Sequence, residues 1–469
     1  MEAIVTSIVS AVNDVLWNKC LLLLFLLLGS GVYFTIRTRF VQVRKFGSGM
    51  RRVFGNIRLF GEGAGKEGMS SFQALATAIA AQVGTGNIAG CATALASGGP
   101  GAVFWMWVSA FFGMATIYGE AVLAQKYKHT NEHGEVTGGP VYYIKAAFKG
   151  KFGIFLAGFF AVAITLALGF MGNMVQSNSI GDAFHTAFGV PKVAMGIFVA
   201  VVCAVIFLGG VKRIAAITEK LVPVMACLYI VGSLIAIFMN AGNILPAFQS
   251  IFVGAFCPQA VLGGALGVTV KEAMRFGVAR GLFSNEAGMG STPHAHALAK
   301  VSKPQEQGEV AMVGVFIDTF VVLNITALVV ISTLYAGNGP LSATAAEGAA
   351  EGINKANMAQ LAFSSIMGDT VGSLFVAICL MFFAFTTIIG WNLFGKINVI
   401  YLFGKKAVPV YSVLAIIFIF LGSLLSNDLV WELTDMFNNL MVIPNVLALA
   451  VLSGLVVSEM RKKKAQRGC

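Results

Sequence analysis

Long apolar stretches, separated by short polar or basic segments, run through the whole chain of 469 residues. A helix of roughly 20 apolar residues is long enough to cross a bilayer. The pattern therefore predicts an all-α polytopic membrane protein with about eleven transmembrane helices. The predicted spans cover residues 18–36, 69–97, 102–125, 152–181, 193–210, 221–240, 262–299, 310–335, 371–395, 408–425 and 436–457.

The second span contains a predicted break in its middle. Three glycines, Gly84, Gly86 and Gly90, surround Thr85 and Asn87 there, and only proline favours a helix less than glycine does. A helix that opens at membrane depth leaves backbone N–H and C=O groups that protein, water, an ion or a substrate must satisfy. Free N–H groups suit a carboxylate and free carbonyls suit a small cation, so the break is a candidate substrate and ion site. The alternative is close helix packing through the small residues at positions 86 and 90.

The seventh span is the second segment with a predicted interruption. Its NEAG motif at 285–288 repeats the NIAG motif at 87–90 with an offset of 198 residues. Five spans separate the two segments, so they are predicted to cross the membrane in opposite directions. Two broken segments in oppositely oriented halves are typical of inverted-repeat transporters. Because the seventh span is rich in charge, two unwinding points stay open, 281–285 and 286–290.

Charge predicts the orientation of the chain. Only 11% of the residues are charged, whereas a soluble domain carries about a quarter. If the loop after the first span is cytoplasmic, 26 of the 32 Lys and Arg residues lie on the cytoplasmic side, and only Lys19, Lys192 and Lys355 lie outside. The positive-inside rule then places the N-terminus outside and the C-terminus in the cytoplasm. This distribution of the +11 net charge matches an anionic membrane surface, so nucleic acid is excluded as a partner.

The chain lacks the motifs of an enzyme and of a structural metal site. Neither HExxH nor GxSxG occurs, so catalysis by those devices is not predicted. The seven cysteines are scattered without a CxxC pair, which indicates neither a disulfide framework nor a zinc site. A passive channel should show rings of repeated polar residues along one pore, and none are visible in the sequence.

The segment GGPGAVFWMWV at 98–108 resembles the signature of the sodium:alanine symporter family, also called alanine/glycine:cation symporters. GTGNIAG at 84–90 and RGLFSNEAGMGS at 280–291 are similar to that family too, and the resemblance covers essentially the whole chain. It implies the ten-helix inverted-repeat core of LeuT-type transporters in spans two to eleven. It also implies uptake of small neutral amino acids across the prokaryotic inner (plasma) membrane, driven by sodium or sometimes protons, with no obligate protein partner.

The same resemblance gives the expected division of the chain. Each repeat has five helices, and each contains one of the two interrupted spans. The expected parts are a peripheral N-terminal transmembrane helix (1–36), a basic cytoplasmic loop (37–68), a first five-helix repeat (69–242), a second five-helix repeat with external helices (243–457) and a basic cytoplasmic tail (458–469).

The resemblance also implies which residues form the site. In LeuT-type symporters, backbone amides of the first broken helix hold the substrate carboxylate, and an asparagine reaches a sodium ion beside it. Carbonyl and hydroxyl oxygens are the hard ligands that a small alkali cation needs; the alternative for the threonines is a bond to backbone carbonyls one turn back. The implied substrate-binding residues are Thr85, Gly86, Asn87, Gln176, Phe283, Ser284 and Trp391, and the implied Na⁺ ligands are Ala80, Val83, Asn87, Thr386 and Thr387.

Three charged residues are candidates for coupling or gating: Asp318, Glu286 and Arg280. Asp318 lies deep in the eighth span, where an ionisable group is costly and is usually functional or paired. Two interpretations stay open for it, cation coupling and a structural pair with Arg280 or Arg275. Glu120, near the inner end of the third span, is expected to snorkel to the surface or to pair with a loop lysine.

The predicted function is sodium-coupled import of alanine and/or glycine by alternating access. The alternative is a proton-coupled amino-acid symporter in which Asp318 or Glu286 carries the proton. The asparagine and the threonine pair favour sodium, because they supply oxygen ligands that a proton does not need.

Overall fold

The computed structural model describes residues 2–16, 22–55, 69–130, 135–207, 210–262, 268–337, 339–342 and 351–462. Parts of several predicted features lie outside the described residues. These parts are the start of the first span with Lys19 and Cys20, the loop residues 56–68, the start of the seventh span at 263–267, and the tail residues 463–469 with Cys469.

Helices form nearly all of the described chain, which confirms the predicted all-α class. In the first half the α-helices are Glu2–Asp14, Leu22–Arg37, Val41–Arg44, Phe46–Phe54, Ser71–Gln82, Cys91–Gly98, Gly101–Lys126, Pro140–Ala147, Gly150–Ile164, Gly172–Phe188, Lys192–Phe207 and Gly210–Met239, with π-helical turns at Gly86–Gly90 and Thr165–Met171. One antiparallel pair of short strands, His129–Thr130 and Val136–Thr137, follows the third predicted span.

In the second half the α-helices are Ile244–Phe256, Pro258–Leu262, Val270–Asn285, Pro293–Ala297, Pro304–Val315, Asn324–Val330, Met358–Met367, Asp369–Phe403, Val408–Gly422 and Asn427–Arg461. The π-helical segments Phe316–Leu323 and Ile331–Tyr335 make 304–335 one continuous helical stretch, and short 3₁₀ turns occur at Ala241–Asn243 and Lys405–Ala407.

Seven helical segments of the described chain are long and apolar enough to cross a bilayer, and shorter apolar helices such as Leu22–Arg37 and Lys192–Phe207 accompany them. The total of eleven spans stays a prediction, because several predicted spans are short or interrupted helices. The seven long segments are Gly101–Lys126, Gly150–Phe188, Arg213–Met239, Pro304–Tyr335, Asp369–Phe403, Lys405–Gly422 and Asn427–Arg461.

The two interrupted spans begin in the same way. Ser70 accepts a hydrogen bond from Gln73 N at 3.0 Å, and Thr269 accepts one from Glu272 N at 3.2 Å. In both pairs the second side chain bonds back to the backbone N–H of the first residue. These capping boxes satisfy free N–H groups at the helix start. They also account for Glu272, one of the charges that made the seventh span unusual.

Both spans then open in the middle. The first helix ends at Gln82, is irregular at 83–84, and continues through a π-helical turn to Gly98. The second helix runs unbroken to Asn285, and the chain is then non-helical from 286 to 292. The break in the seventh span therefore falls at the second of the two predicted positions.

The two broken helices run in opposite directions with their breaks side by side. At one end Met69 N donates to Leu298 O at 2.8 Å, and Lys300 N donates to Met69 O at 2.9 Å. At the other end a Cβ on Gly98 would lie 3.2 Å from the Cα of Ala273. The start of each helix thus meets the end of the other, as the predicted opposite orientation requires.

Long helices on either side hold this pair. Gly101–Lys126 packs against both Val270–Asn285 and Pro304–Val315. On the opposite side, Asp369–Phe403 packs against Ser71–Gln82 and Gly172–Phe188. The breaks therefore lie in the interior of the bundle rather than at its surface.

Several helices outside the predicted spans were not expected from the sequence, among them Glu2–Asp14 and Met358–Met367. Glu2–Asp14 precedes the first predicted span and packs against Asn427–Arg461, where Asn13 Nδ2 donates to Glu432 Oε2 at 2.6 Å. Met358–Met367 lies between the eighth and ninth predicted spans. Glu2–Asp14 therefore belongs to the packed structure rather than forming a free tail.

Candidate functional site

The first break is held open by two side-chain acceptors, one from its own span and one from Gly172–Phe188. Gly84 N donates to Asn87 Oδ1 at 3.0 Å, and Thr85 N donates to Gln176 Oε1 at 3.2 Å. A Cβ on Gly84 would collide with Thr387 Oγ1, so glycine permits a close approach there. Gln176 and Asn87 thus replace the backbone partners that an unbroken helix would supply.

Two polar atoms beside this break are buried and have no hydrogen-bond partner among the described residues. They are Gln176 Nε2 and Thr85 Oγ1. Buried polar groups are nearly always hydrogen-bonded, so an unsatisfied pair indicates a place for a ligand or water. An amide N–H and a hydroxyl can both donate, which suits a carboxylate.

The predicted threonine pair is divided between two neighbours. Thr387 Oγ1 lies 2.9 Å from Ala80 O, near the end of the first half-helix, and 3.0 Å from Phe383 O, one turn back in its own helix. Thr386 Oγ1 also donates to Phe383 O, at 2.9 Å, and lies 3.4 Å from Met225 Sδ. Only Thr387 therefore contacts the first broken helix.

Asp318 joins the two breaks. Its carboxylate accepts from Asn87 Nδ2 at 2.7 Å and from Ser284 Oγ at 2.9 Å. Thr319 Oγ1 donates to the second carboxylate oxygen at 2.9 Å. All four residues are buried. The predicted structural pair with Arg280 or Arg275 is wrong for the described chain, because the partners of Asp318 there are neutral and Arg280 binds Asp435 instead.

Glu286 lies at the second break and contacts the predicted pocket wall. Trp391 Nε1 donates to Glu286 Oε1 at 2.5 Å, and Ser291 Oγ donates to Oε2. Phe283, one turn before the break, packs edge-on against the Trp391 ring with 5.7 Å between centroids. The second break therefore supplies both a carboxylate and an aromatic wall.

Glu120 occupies a different position from the one expected. Its side chain is buried and accepts from Gly288 N and Gly290 N, each at 3.0 Å. Asn445 Nδ2 adds a third hydrogen bond at 2.6 Å. The expectation of a snorkelling or lysine-paired Glu120 is wrong because the unwound segment offers backbone donors that a helix would have consumed.

Three carboxyl groups, those of Glu120, Glu286 and Asp318, are thus fully buried within the bundle. None forms an ion pair with a lysine or arginine among the described residues. An ionised carboxylate at membrane depth needs a counter-charge or a proton. A site that contains buried carboxyl groups without a basic partner can accept a cation.

Arg280 lies in the second broken helix, before its break, and contacts Asn427–Arg461. Its guanidinium forms two hydrogen bonds with Asp435, at 2.8 and 2.7 Å, and lies 4.5 Å from the centroid of the Trp431 ring. Trp431 packs in turn on Phe283, with centroids 4.8 Å apart. A forked ion pair of this kind is directional, so Arg280 keeps its place as a gating candidate.

The structure brings most predicted site residues together at the two breaks, and Thr386 is the one that turns away. Two residues of the site, Thr319 and Asp435, were not predicted from the sequence. Glu120 was considered, but its position at the second break was not predicted. Thr319 follows Asp318 directly, so a hydroxyl next to a buried carboxylate was the available signal. Asp435 lies in another span, and nothing in the sequence indicates its pairing with Arg280.

Two interrupted helices that run antiparallel, with buried polar groups at both breaks, define a membrane transporter. The chain belongs to the sodium:alanine symporter family, whose model matches residues 1–468. The sodium/alanine symporter AgcS of Methanococcus maripaludis is 42% identical over 97% of this chain and 96% of its own length. The probable sodium/glutamine symporter GlnT of Bacillus subtilis is 39% identical over 99% of this chain and 93% of its own length. The family consists of transporters, which confirms that the chain is not an enzyme.

A solved structure supports the LeuT-type fold. The structure of MhsT in complex with L-phenylalanine matches with a TM-score of 0.57 at 14% identity, covering 84% of this chain and 89% of that one. At this low identity the likeness shows the fold and nothing about the substrate.

Proposed function

We propose that this chain is a secondary active symporter that imports alanine and/or glycine together with Na⁺ by alternating access. Relatives named for sodium/alanine and sodium/glutamine symport support a sodium-coupled amino-acid transporter. The observation that carries the proposal is Asp318, a buried carboxylate whose partners come from both helix breaks. A cation bound there touches both moving segments at once.

The proposed first Na⁺ position lies at Asp318, with oxygens of Ser284 and Thr319 beside it. The carboxylate and hydroxyl groups are hard oxygen ligands, and the negative charge offsets the cost of removing water from the ion. Asn87 turns its N–H group to this carboxylate and its oxygen to Gly84 N, so it links the ion position to the first break. It orients Asp318, and its own role as an Na⁺ ligand stays a prediction.

The proposed second Na⁺ position lies between Ala80 O and Thr387 Oγ1, which are 2.9 Å apart. The carbonyl of Val83, at the end of the same half-helix, is its third proposed ligand. A cation between these oxygens would replace the hydroxyl hydrogen bond by two Na⁺–O contacts. The C-terminal end of a half-helix carries partial negative charge, which favours a cation.

The amino acid is proposed to bind at the first break, between the two ion positions. Its carboxylate would take donors from the backbone at Gly86, from Thr85 N in place of Gln176 Oε1, and from the unpartnered Gln176 Nε2 and Thr85 Oγ1. Its side chain would face the rings of Phe283 and Trp391. A wall of two large rings leaves room for a small side chain, which supports alanine or glycine.

The protein is proposed to lie in a prokaryotic inner (plasma) membrane, with its N-terminus outside and its C-terminus in the cytoplasm. The basic segments support this orientation through the positive-inside rule. The relatives quoted above come from an archaeon and a bacterium, and they fit a plasma-membrane location. We propose no obligate protein partner.

A proton is the second candidate for the coupling ion. The observation in its favour is that both Asp318 and Glu286 are buried without an ion pair among the described residues. A bound proton would neutralise the charge of either carboxylate, just as a sodium ion would. The hydroxyl oxygens around Asp318 favour sodium, because a proton does not need several oxygen ligands.

Reconstituted protein tests the proposal. Liposomes are given an inward Na⁺ gradient, an inward H⁺ gradient without Na⁺, or neither, and uptake of radiolabelled alanine and glycine is measured. We expect accumulation above equilibrium with the Na⁺ gradient alone, and its collapse when a sodium ionophore is added. Protein-free liposomes are the control. Accumulation driven by the pH gradient without Na⁺ would contradict sodium coupling, and no accumulation under either gradient would contradict symport of these amino acids.

A further inference from the structure

Glu286 adopts a backbone conformation that long side chains rarely take. It ends the helix Val270–Asn285 with φ 57° and ψ 12°, in the left-handed region. Such a conformation is costly for a residue with a Cβ and persists only where other contacts hold it. Here the strained backbone turns the Glu286 side chain inward to the Trp391 indole, where it is fully buried.

The side chain of Trp391 has one polar atom, Nε1, and this atom is hydrogen-bonded to Glu286. The indole Nε1 can only donate, and its bond to Glu286 Oε1 is 2.5 Å long. The six-membered ring of the indole rests on Gly172, where an added Cβ would lie 2.5 Å from Cζ3. Phe283 meets the ring edge-on. The ring is therefore fixed at its nitrogen and at its far edge.

Trp391 also lies one helical turn after Thr387, on the same side of Asp369–Phe403. Thr387 contacts the first break at Ala80, and Trp391 contacts the second at Glu286. Any tilt of the indole would therefore change the width of the space between the two breaks. In the proposed substrate position, the side chain of the amino acid would face this ring.

We infer that Glu286 is a positioning residue that fixes the Trp391 indole and thereby sets the upper limit on substrate side-chain size. The inference rests on the proposed function for its transport readout. It assigns Glu286 a role as a hydrogen-bond acceptor, which needs an oxygen atom at that position rather than a negative charge or a transferable proton. That distinction separates it from the proton-carrier alternative.

Conservative and truncating variants separate these roles. Glu286→Gln keeps an acceptor oxygen for Trp391 Nε1 and removes the charge, whereas Glu286→Ala removes the acceptor. The measured quantity is the ratio of initial uptake rates for alanine and valine. We expect Glu286→Ala to lower the ratio about tenfold, since a hydrophobic pocket discriminates one or two methylene groups by tenfold or more. Glu286→Gln should keep the ratio within about twofold of the wild type, less than a single methylene group is worth.

The double variant tests whether Glu286 acts through Trp391. Trp391→Phe keeps a ring and loses the N–H, so it should lower the alanine-to-valine ratio by itself. Glu286→Ala in the Trp391→Phe background should then change the ratio no further. Additive effects would overturn the inference, because they would show that Glu286 acts on selectivity by another route. If Glu286→Ala does not reach the membrane, the other two single variants decide: Trp391→Phe must lower the ratio and Glu286→Gln must not.

A second measurement does not depend on transport. The chain has five tryptophans, so ¹⁵N-labelled protein should give five indole N–H resonances, and Trp391→Phe identifies the one from Trp391. A bond to a carboxylate oxygen moves that proton downfield, and we expect an upfield shift in Glu286→Ala. An unchanged resonance would overturn the inference. Loss of alanine uptake in the wild type would instead contradict the proposed function, and the indole resonance would still decide whether Glu286 holds the ring.

Discussion

Replacing Asp318 by Asn tests the electrostatic core of the site. The substitution keeps the shape of the side chain and one acceptor oxygen, but it removes the negative charge. Three neutral donors, on Asn87, Ser284 and Thr319, surround the carboxylate at 2.7 to 3.0 Å. The amide oxygen can still accept from Asn87 and Ser284, and the Thr319 hydroxyl can turn to accept from the amide N–H, so the fold should tolerate the change while cation binding suffers.

The size of the effect follows from the position of the charge. Two unit charges about 4 Å apart interact by about 4 kcal/mol at the effective dielectric constant of about 20 that suits protein sites. Part of this is offset, because a cation at Asp318 must displace hydrogen bonds from Ser284 and Thr319. A net loss of about 1.4 to 2.8 kcal/mol would raise the half-saturating sodium concentration about 10- to 100-fold.

The assay is alanine uptake into proteoliposomes over a series of sodium concentrations and at several pH values. Asp182→Asn is the matched control, because Asp182 pairs with Lys192 rather than with the polar groups around Asp318, and its loss should leave the sodium dependence unchanged. We expect Asp318→Asn to raise the half-saturating sodium concentration without moving the pH optimum. Uptake driven by a pH gradient alone and lost in Asp318→Asn, with alanine exchange preserved, would show that Asp318 carries a proton.

Three further substitutions test the neighbouring contacts. Asn87→Ala should weaken alanine binding and its sodium dependence together, by about tenfold for the loss of a charge-assisted hydrogen bond. Titration with alanine at several sodium concentrations measures both, and unchanged values would remove Asn87 from the site. Thr387→Val should raise the half-saturating sodium concentration, whereas Thr386→Val serves as its control and should not; equal effects would refute the assignment to Thr387. Glu120→Ala should leave two buried N–H groups unpaired and lower the thermal unfolding temperature of the detergent-solubilised protein more than Glu120→Gln does. Equal unfolding temperatures for the two variants would show that the unwound segment does not depend on this side chain.

Local sequence signals predicted the broken helices well. Gly84 lies where the first helix opens, and Gly86 lies where the second broken helix approaches closely. The motif at 285–288 coincides with the start of the second break. Both predictions depended on backbone chemistry, because glycine removes the Cβ that would otherwise prevent the opening and the close contact.

Side-chain partners between distant spans were harder to predict. Asp318 was correctly identified as unusual, because a carboxylate at membrane depth is costly wherever it lies. Its partners Asn87 and Ser284 are 231 and 34 residues away, and no local pattern specifies such pairs. The same applies to Glu120, whose backbone donors exist only after the seventh span has unwound. The local sequence shows which polar residue lies within a span and how deep it lies. Its hydrogen-bond partner depends on how distant spans pack together.

The packing also indicates how ion and substrate are coupled. One uninterrupted helix, Asp369–Phe403, contacts the first broken helix through Thr387 and the second break through Trp391, one turn apart. On the other side of the breaks, Asp318 bonds to Asn87 from the first and Ser284 from the second. The helix Asp369–Phe403 and the Asp318 carboxylate therefore each contact both broken helices. We expect a cation at Asp318 and a substrate beside Trp391 to tighten the same pair of half-helices, so that the closed state forms readily only when both are bound.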